Sequence, residues 1–214
     1  MHTLLPDDIM QKAVKGIGYI AHPLRLRILE YLDVNGQSSV SEITKALKEE
    51  QAVVSQSLKK MREMNLVQTK RRGVFVYYSI QGAYPASIFV CIRKMFGYMT
   101  NNFYFLQDDY KVILPQDYTT MVANRIKLFA HIDKMRILEY LAVYGPKAVC
   151  DIAEGVGLEP LKVSQFLKKM KEDEFVSNER NGRFIVYEIT KGVHQTALGC
   201  IHKRYHSLTD KSTF

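Results

Sequence analysis

Three sets of side chains in this 214-residue sequence have the types and spacing to do chemistry. The first is the thiols. Cys91, Cys150 and Cys200 are odd in number, far apart and without a Cys-x-x-Cys pair, so alone they build neither a disulfide framework nor a four-ligand zinc site. A reducing compartment, the cytoplasm, is therefore expected. The second is a group of imidazoles near the C-terminus. His202 and His206, at i and i+4, share a helix face downstream of His194, but Lys203 and Arg204 beside them read as the solvated basic end of that helix, and no metal is assigned. The third set is non-covalent in character and occurs twice. Gln51, Ser55, Gln56, Lys59 and Lys60 are followed by Lys70, Arg71 and Arg72, while Lys162, Ser164, Gln165, Lys168 and Lys169 are followed by Arg180 and Arg183. A glutamine amide pairs bidentately with adenine, a hydroxyl bonds to base or phosphate, and ammonium and guanidinium groups neutralise phosphate. The sequence has no glycine-rich phosphate loop, HExxH or GxSxG, so recognition is expected rather than catalysis, with no cofactor.

The elements that position this third set are themselves duplicated. The segment Ala21-His22-Pro23-Leu24-Arg25-Leu26-Arg27-Ile28-Leu29-Glu30-Tyr31-Leu32 recurs 109 positions later as Ala130-His131-Ile132-Asp133-Lys134-Met135-Arg136-Ile137-Leu138-Glu139-Tyr140-Leu141. The displacement persists without a gap, and about 27 of the 60 positions from Ala21 to Ile80 are identical to their counterparts, which makes this a duplicated domain. The expected division is 1–106 and 118–214, with 107–117 as the linker. In each copy a helical apolar stripe (Ile28, Leu29, Leu32; Ile137, Leu138, Leu141) ends near Gly36 or Gly145. A short helix follows over 40–47 or 149–156. A third helix starts near Gln51 or Glu159, where Pro160 suits a first turn. Its apolar residues recur at i, i+4 and i+7 (Val54, Leu58, Met61; Val163, Leu167, Met170), which turns Ser55, Gln56 and Lys59 outward. β-prone runs around Arg72-Gly73 and Asn181-Gly182 then predict hairpins. The predicted fold is mainly α with β-hairpin wings: two winged helix-turn-helix domains in tandem forming a pseudo-two-fold dimer.

Composition agrees with that reading. With 47% hydrophobic and 24% charged residues, 12 Gly and 6 Pro, the chain is neither disordered, fibrous nor a disulfide-rich mini-protein. The apolar stretch 83–105 carries Arg93 and Lys94 in its middle, which excludes a membrane span, and the N-terminus lacks a secretory pattern. The net charge of +8 suggests an acidic partner such as nucleic acid. It is uneven: 1–107 carries 14 Lys plus Arg against 8 Asp plus Glu, and 108–214 carries 16 against 14, giving +6 and +2.

The motifs His22-Pro23-Leu24-Arg25-Leu26-Arg27-Ile28-Leu29 and Val54-Ser55-Gln56-Ser57-Leu58-Lys59-Lys60-Met61, followed by Leu66-Val67, resemble the ArsR/SmtB-type winged-helix repressors of bacteria, and the resemblance covers both copies. It implies a DNA-binding transcriptional regulator, a repressor, whose third helices enter major grooves while the wings reach phosphate or the minor groove. In that family two chains dimerise through their first and last helices, so the tandem is expected to act as an internal pseudo-dimer reading two half-sites, with a homodimer as the rival assembly. The family's metal sensors carry Cys-Val-Cys-Asp-Leu where this sequence has Ser39-Val40-Ser41-Glu42-Ile43 and Ala148-Val149-Cys150-Asp151-Ile152, so their multi-thiolate site is not expected here. Cys91 and Cys200 occupy equivalent positions and would meet as a redox pair in such a dimer, or serve as small buried apolar side chains. Glu159 and Glu179 oppose phosphate, which makes the second copy the weaker half. A winged-helix protein-interaction scaffold without DNA binding is the alternative from another class.

Overall fold

A computed structural model describes residues 4–82, 89, 90, 92–94, 96, 97, 100–107 and 111–190. The chain begins with α1 (Asp7–Ile20) and α2 (Pro23–Asn35), the latter started by proline at its first turn and stopped at Gly36, whose φ of 72° only glycine adopts without strain. Strand β1 (Ser38–Ser39) leads into α3 (Val40–Leu47), which is fixed by a capping box: Glu42 N–H donates to Ser39 Oγ, and Ser39 N–H donates to Glu42 Oε2. Then come α4 (Gln51–Glu63), β2 (Val67–Arg72) and β3 (Phe75–Ile80), in a sheet of order β1-β3-β2. Helical residues between 89 and 100 and a 3-10 turn (Phe103–Leu106) follow.

The second passage repeats the first: α5 (Gln116–Ile126), a 3-10 turn (Lys127–Ala130), α6 (Ile132–Tyr144), β4 (Lys147–Ala148), α7 (Val149–Val156), α8 (Pro160–Glu172), β5 (Val176–Asn181) and β6 (Phe184–Ile189). The order β4-β6-β5 matches that of the first sheet. Two winged helix-turn-helix domains are thus present, mainly helical with hairpin wings. The helix bounds 40–47 and 149–156 coincide with the periodicity, whereas α1, α5 and the two-residue strands are additional to it. The hairpin loops also differ from the Asn-Gly reading. Asn181 pairs with Phe184 inside the ladder, and Gly182 is the first central residue, the only one of the two with positive φ, as in type II′ turns.

Packing does not follow the repeat boundaries. Described residues of 1–18 and 125–214 form one compact unit, and 19–124 form the other. In the first unit Leu5, Met10 and Ile17 join Met135, Leu138, Ile152, Val163, Leu167 and Met170 in one core. In the second, Leu114, Tyr118 and Val122 are buried along with Leu26, Leu29, Ile43, Val54, Leu58 and Met61. Tyr118 stacks edge-on against Phe96 and donates its hydroxyl to Ile92 O at 3.2 Å. Within 107–117, the stretch expected to be linker, Leu114 is only 4% exposed, while Lys111, Ile113, Pro115, Gln116 and Asp117 are exposed, the last two opening α5. The apolar helix residues Met95 and Met99, together with Cys91 and Cys200, lie outside the described residues.

Each unit takes its leading helix from the other copy, and one repeated contact fixes it. Leu5-Pro6 and Leu114-Pro115 are themselves 109 apart, as are Glu139 and Glu30. Leu5 N–H donates to Glu139 Oε1 at 2.6 Å, and Leu114 N–H donates to Glu30 Oε1 at 2.9 Å. Both glutamates are fully buried, at 0% and 1% exposure. Because proline has no N–H, the leucine amide is the last backbone donor before the helix, and once buried it requires an acceptor. The two sites are charged differently. Arg136 donates to Glu139 Oε2 and to Leu5 O, both at 2.7 Å, and also pairs with Asp7. Its counterpart Arg27 turns instead to Glu49, at 2.9 Å. Near Glu30, Arg93 is spent on buried Asp33 at 2.7 Å and on Val112 O at 3.1 Å. Burial pushes the Glu30 carboxyl up to about 7, against the lowering effects of the Leu114 amide, the Arg93 charge, the Thr119 hydroxyl and Arg27.

A carboxyl whose folded pKa exceeds its unfolded value binds more protons when folded, so its contribution to stability is present below pH ~4.5 and is lost as pH rises through about 7. Glu30→Gln keeps an acceptor for Leu114 N–H but cannot ionise. Thermal unfolding from pH 5 to 8 should show that the variant lacks part of the parent's decline over that window, with a relative gain on the order of 1–3 kcal/mol at pH 8. Parallel pH profiles for the two proteins would contradict the assignment.

Candidate nucleic-acid interface

The recognition surface is built from the buried side of α4 outward. Val54, Leu58 and Met61 have no exposure, which fixes the rotation of the helix about its axis and turns Gln51, Ser55, Gln56 and Lys59 to solvent. Ala52, Ser55, Gln56 and Lys59 stand at i, i+3, i+4 and i+7 and form one outward stripe. Lys60 lies at the flank of this stripe and is half-buried. The helix is preceded by α3, whose start is held by the Ser39–Glu42 box. Ser39 stands where the metal sensors of the resembled family have a cysteine, and its hydroxyl serves here as a helix cap.

The same construction recurs on α8. Val163, Leu167 and Met170 are buried without exposure, and Lys162, Ser164, Gln165, Lys168 and Lys169 are exposed. One residue of the fit is particular to this copy. A Cβ at Gly155 of α7 would run into the Tyr140 ring, which would have to shift to admit it, whereas the first copy carries Ala46 at the corresponding position. The stripe Leu161, Ser164, Gln165 and Lys168 repeats that of α4 with a single change, Leu161 for Ala52.

The cations of the two surfaces are not equally available. Lys162 pairs with Asp133 at 2.7 Å, with its ammonium 5.7 Å from the Phe166 ring centre. Lys169 lies 3.4 Å from both Glu172 and Asp173, and the Glu172 bond, with Asp173 behind it, raises its pKa. Lys59 and Lys168 have no ion-pair partner among the described residues.

In the wings, Lys70, Arg71 and Arg72 lie exposed on β2, and Arg180 and Arg183 lie exposed at the tip of the second hairpin. Arg71 Nε donates to Gly73 O and Arg180 Nε to Gly182 O, both at 3.1 Å, so each turn is closed by the same arginine. Arg72 donates to Gln37 Oε1 at 2.8 Å and sits 5.4 Å from the Tyr77 ring centre. Asn181 replaces it in the second wing. Periodicity and charge do not single out Gln37, nor the exposed apolar residues Ala52, Val53 and Leu161 on the recognition helices. They also miss the apolar wing tips Val74 and Phe75, and Phe184 and Ile185. The cross-strand register, Arg72 opposite Phe75, is the available signal for the tips. Cys150 is exposed, whereas His194, His202 and His206 lie outside the described residues. Among the described residues no group of three His, Cys, Asp or Glu side chains is placed to hold a metal ion, and no helix is long and apolar enough to cross a membrane.

The family described as bacterial regulatory protein, arsR family, matches residues 22–69 and again 133–178. Transcriptional repressor PagR of Bacillus anthracis is 41% identical over 61 residues, which cover 28% of this chain and 61% of that protein. Among solved structures, the AntR antimony-specific transcriptional repressor is 25% identical with a TM-score of 0.41, over 51% of this chain and 94% of that one. Both family matches span the helix-turn-helix and reach into the wing, so the chain carries twice, in tandem, a winged helix-turn-helix similar to that of the arsR family of bacterial regulatory proteins.

Proposed function

We propose that the chain is a sequence-specific double-stranded DNA-binding transcriptional regulator, a repressor, in which one polypeptide supplies the readers of two half-sites. The observation that carries this reading is the repeated outward stripe Ser55, Gln56, Lys59 and Ser164, Gln165, Lys168, on helices whose opposite faces have no exposure. An amide one turn inside the helix start, flanked by a hydroxyl and followed by an ammonium one turn on, matches the order base edge, base or phosphate, phosphate along a helix lying in the major groove. The name of the PagR relative, a transcriptional repressor, supports the regulatory sense. The first repeat is the stronger reader, because Lys162 and Lys169 of the second have acidic neighbours and its wing lacks an equivalent of Arg72. The exposed wing tips are the observation that favours a protein-docking scaffold instead.

Duplex binding should fall steeply with salt, log affinity against log salt having a slope of about −0.9 per neutralised phosphate. A flat salt series would favour the scaffold. Gln56→Ala should relax preference at one base pair by about 1–3 kcal/mol, while Lys59→Ala should weaken binding to specific and random duplexes alike. Fluorescence anisotropy on both kinds of duplex checks the split, and equal losses on both for Gln56→Ala would refute its role.

A second comparison concerns availability. Lys169→Ala should cost less affinity than Lys59→Ala, and neutralising Arg180 with Arg183 should cost less than neutralising Arg71 with Arg72. The reverse order in the same titrations would assign the stronger reader to the second repeat.

A further inference from the structure

The two recognition stripes share serine, glutamine and lysine at corresponding positions and differ at their first residue, Ala52 in α4 and Leu161 in α8. Leu161 is 72% exposed, and among the described residues it is the only leucine left so uncovered. It stands one turn before Gln165 on the same face, at the helix end that approaches base edges in a helix-turn-helix. Among the described residues its side chain is no part of the buried core, which on the same helix is filled by Val163, Leu167 and Met170.

Resting on the DNA-binding reading above, we infer that Leu161 covers the C5-methyl group of a thymine in the half-site read by the second repeat, beside the base contacted by Gln165. A leucine side chain neither donates nor accepts hydrogen bonds. Set over the major-groove edge of guanine, adenine or cytosine, it would strip water from N7, O6, N6 or N4 without replacing the lost bond. Thymine alone among the four bases presents an apolar group there. The lysine next to Leu161 does not compete for that edge, because Lys162 is turned to Asp133. Ala52, with only a Cβ, offers the corresponding position a smaller apolar contact than leucine does. The two half-sites therefore share the base facing Gln56 and Gln165 and diverge one step away, where the second prefers thymine more strongly than the first. An operator of this protein is an imperfect palindrome whose asymmetry is chemical in origin.

The test replaces thymine with deoxyuridine, which removes the methyl and leaves the Watson–Crick edge unchanged. Duplexes selected by the full chain from a random pool are scanned one thymine at a time, with wild type and with Leu161→Ala, a substitution at an exposed position that leaves the core intact. Wild type should lose about three- to fivefold in affinity at one thymine, the effect of uncovering a single methyl group. Leu161→Ala should bind the thymine duplex more weakly by a similar factor and be indifferent to uracil there. Ala52→Leu should create a second uracil-sensitive position in the other half-site. A flat uracil scan with wild type, or a sensitivity that survives Leu161→Ala, overturns the inference while selective, salt-dependent binding keeps the DNA reading in place. Failure to select any duplex at low salt overturns both.

Discussion

The arrangement rests on a carboxylate buried where an apolar helix would ordinarily hold only hydrocarbon. Glu30 and Glu139 sit inside the Ile-Leu-Glu-Tyr-Leu runs of α2 and α6, and each accepts the amide of a leucine that precedes a proline. A buried carboxylate without partners is costly, and so is a buried amide without an acceptor, so the two satisfy each other and neither position tolerates the absence of its mate. The leading helices α1 and α5 follow the leucines to their seats. With those helices in place the cores of both units close, and the recognition helices acquire the fixed rotation that turns one polar face outward.

The near-identity of the two sites makes their difference informative. In one, arginine completes the carboxylate's bonds and reaches the leader backbone and Asp7 as well. In the other, the equivalent arginine serves Glu49 and Leu47 O, and the buried positive charge of Arg93 is committed to Asp33. Duplication followed by divergence has left the hydrogen bond in both copies while redistributing the charge around it. The same holds at the surface, where serine, glutamine and lysine persist on both stripes but acidic neighbours occupy only some of the lysines.

Much of this was legible in the residues. Val54, Leu58 and Met61 at helical spacing identify the buried side of α4, and hence the exposed Ser55 and Gln56, because a short helix on a small core has one way to bury three large side chains. The wings are readable from β-branched and aromatic runs around glycine, although which residue occupies the turn depends on pairing register, and Asn181 stays in the ladder. The leader exchange is not readable by the same means. Periodicity reports on neighbours within a helix, whereas the Leu5–Glu139 contact joins residues 134 apart, and a glutamate is assigned to the surface by type. The repeated Leu-Pro dipeptide at 5–6 and 114–115 is the one local trace of it. Which lysines carry acid partners likewise depends on side-chain geometry that charge counting does not see.

The exchanged leaders impose an order on synthesis. The unit 19–124 is continuous in sequence, so it can close once residue 124 has left the ribosome, with α5 arriving last to cover the core. The other unit joins two segments far apart in sequence: Leu5, Met10 and Ile17 are made long before Met135, Leu138 and Leu167, and find them only after the second helix-turn-helix has been made. During that interval Leu5, Met10 and Ile17 have no native partner, and the nascent chain carries an apolar helix in waiting. A message cut after the first repeat would yield a winged helix lacking α5 and burdened with an α1 that belongs elsewhere, so the two repeats depend on each other in a way that two simply concatenated domains would not.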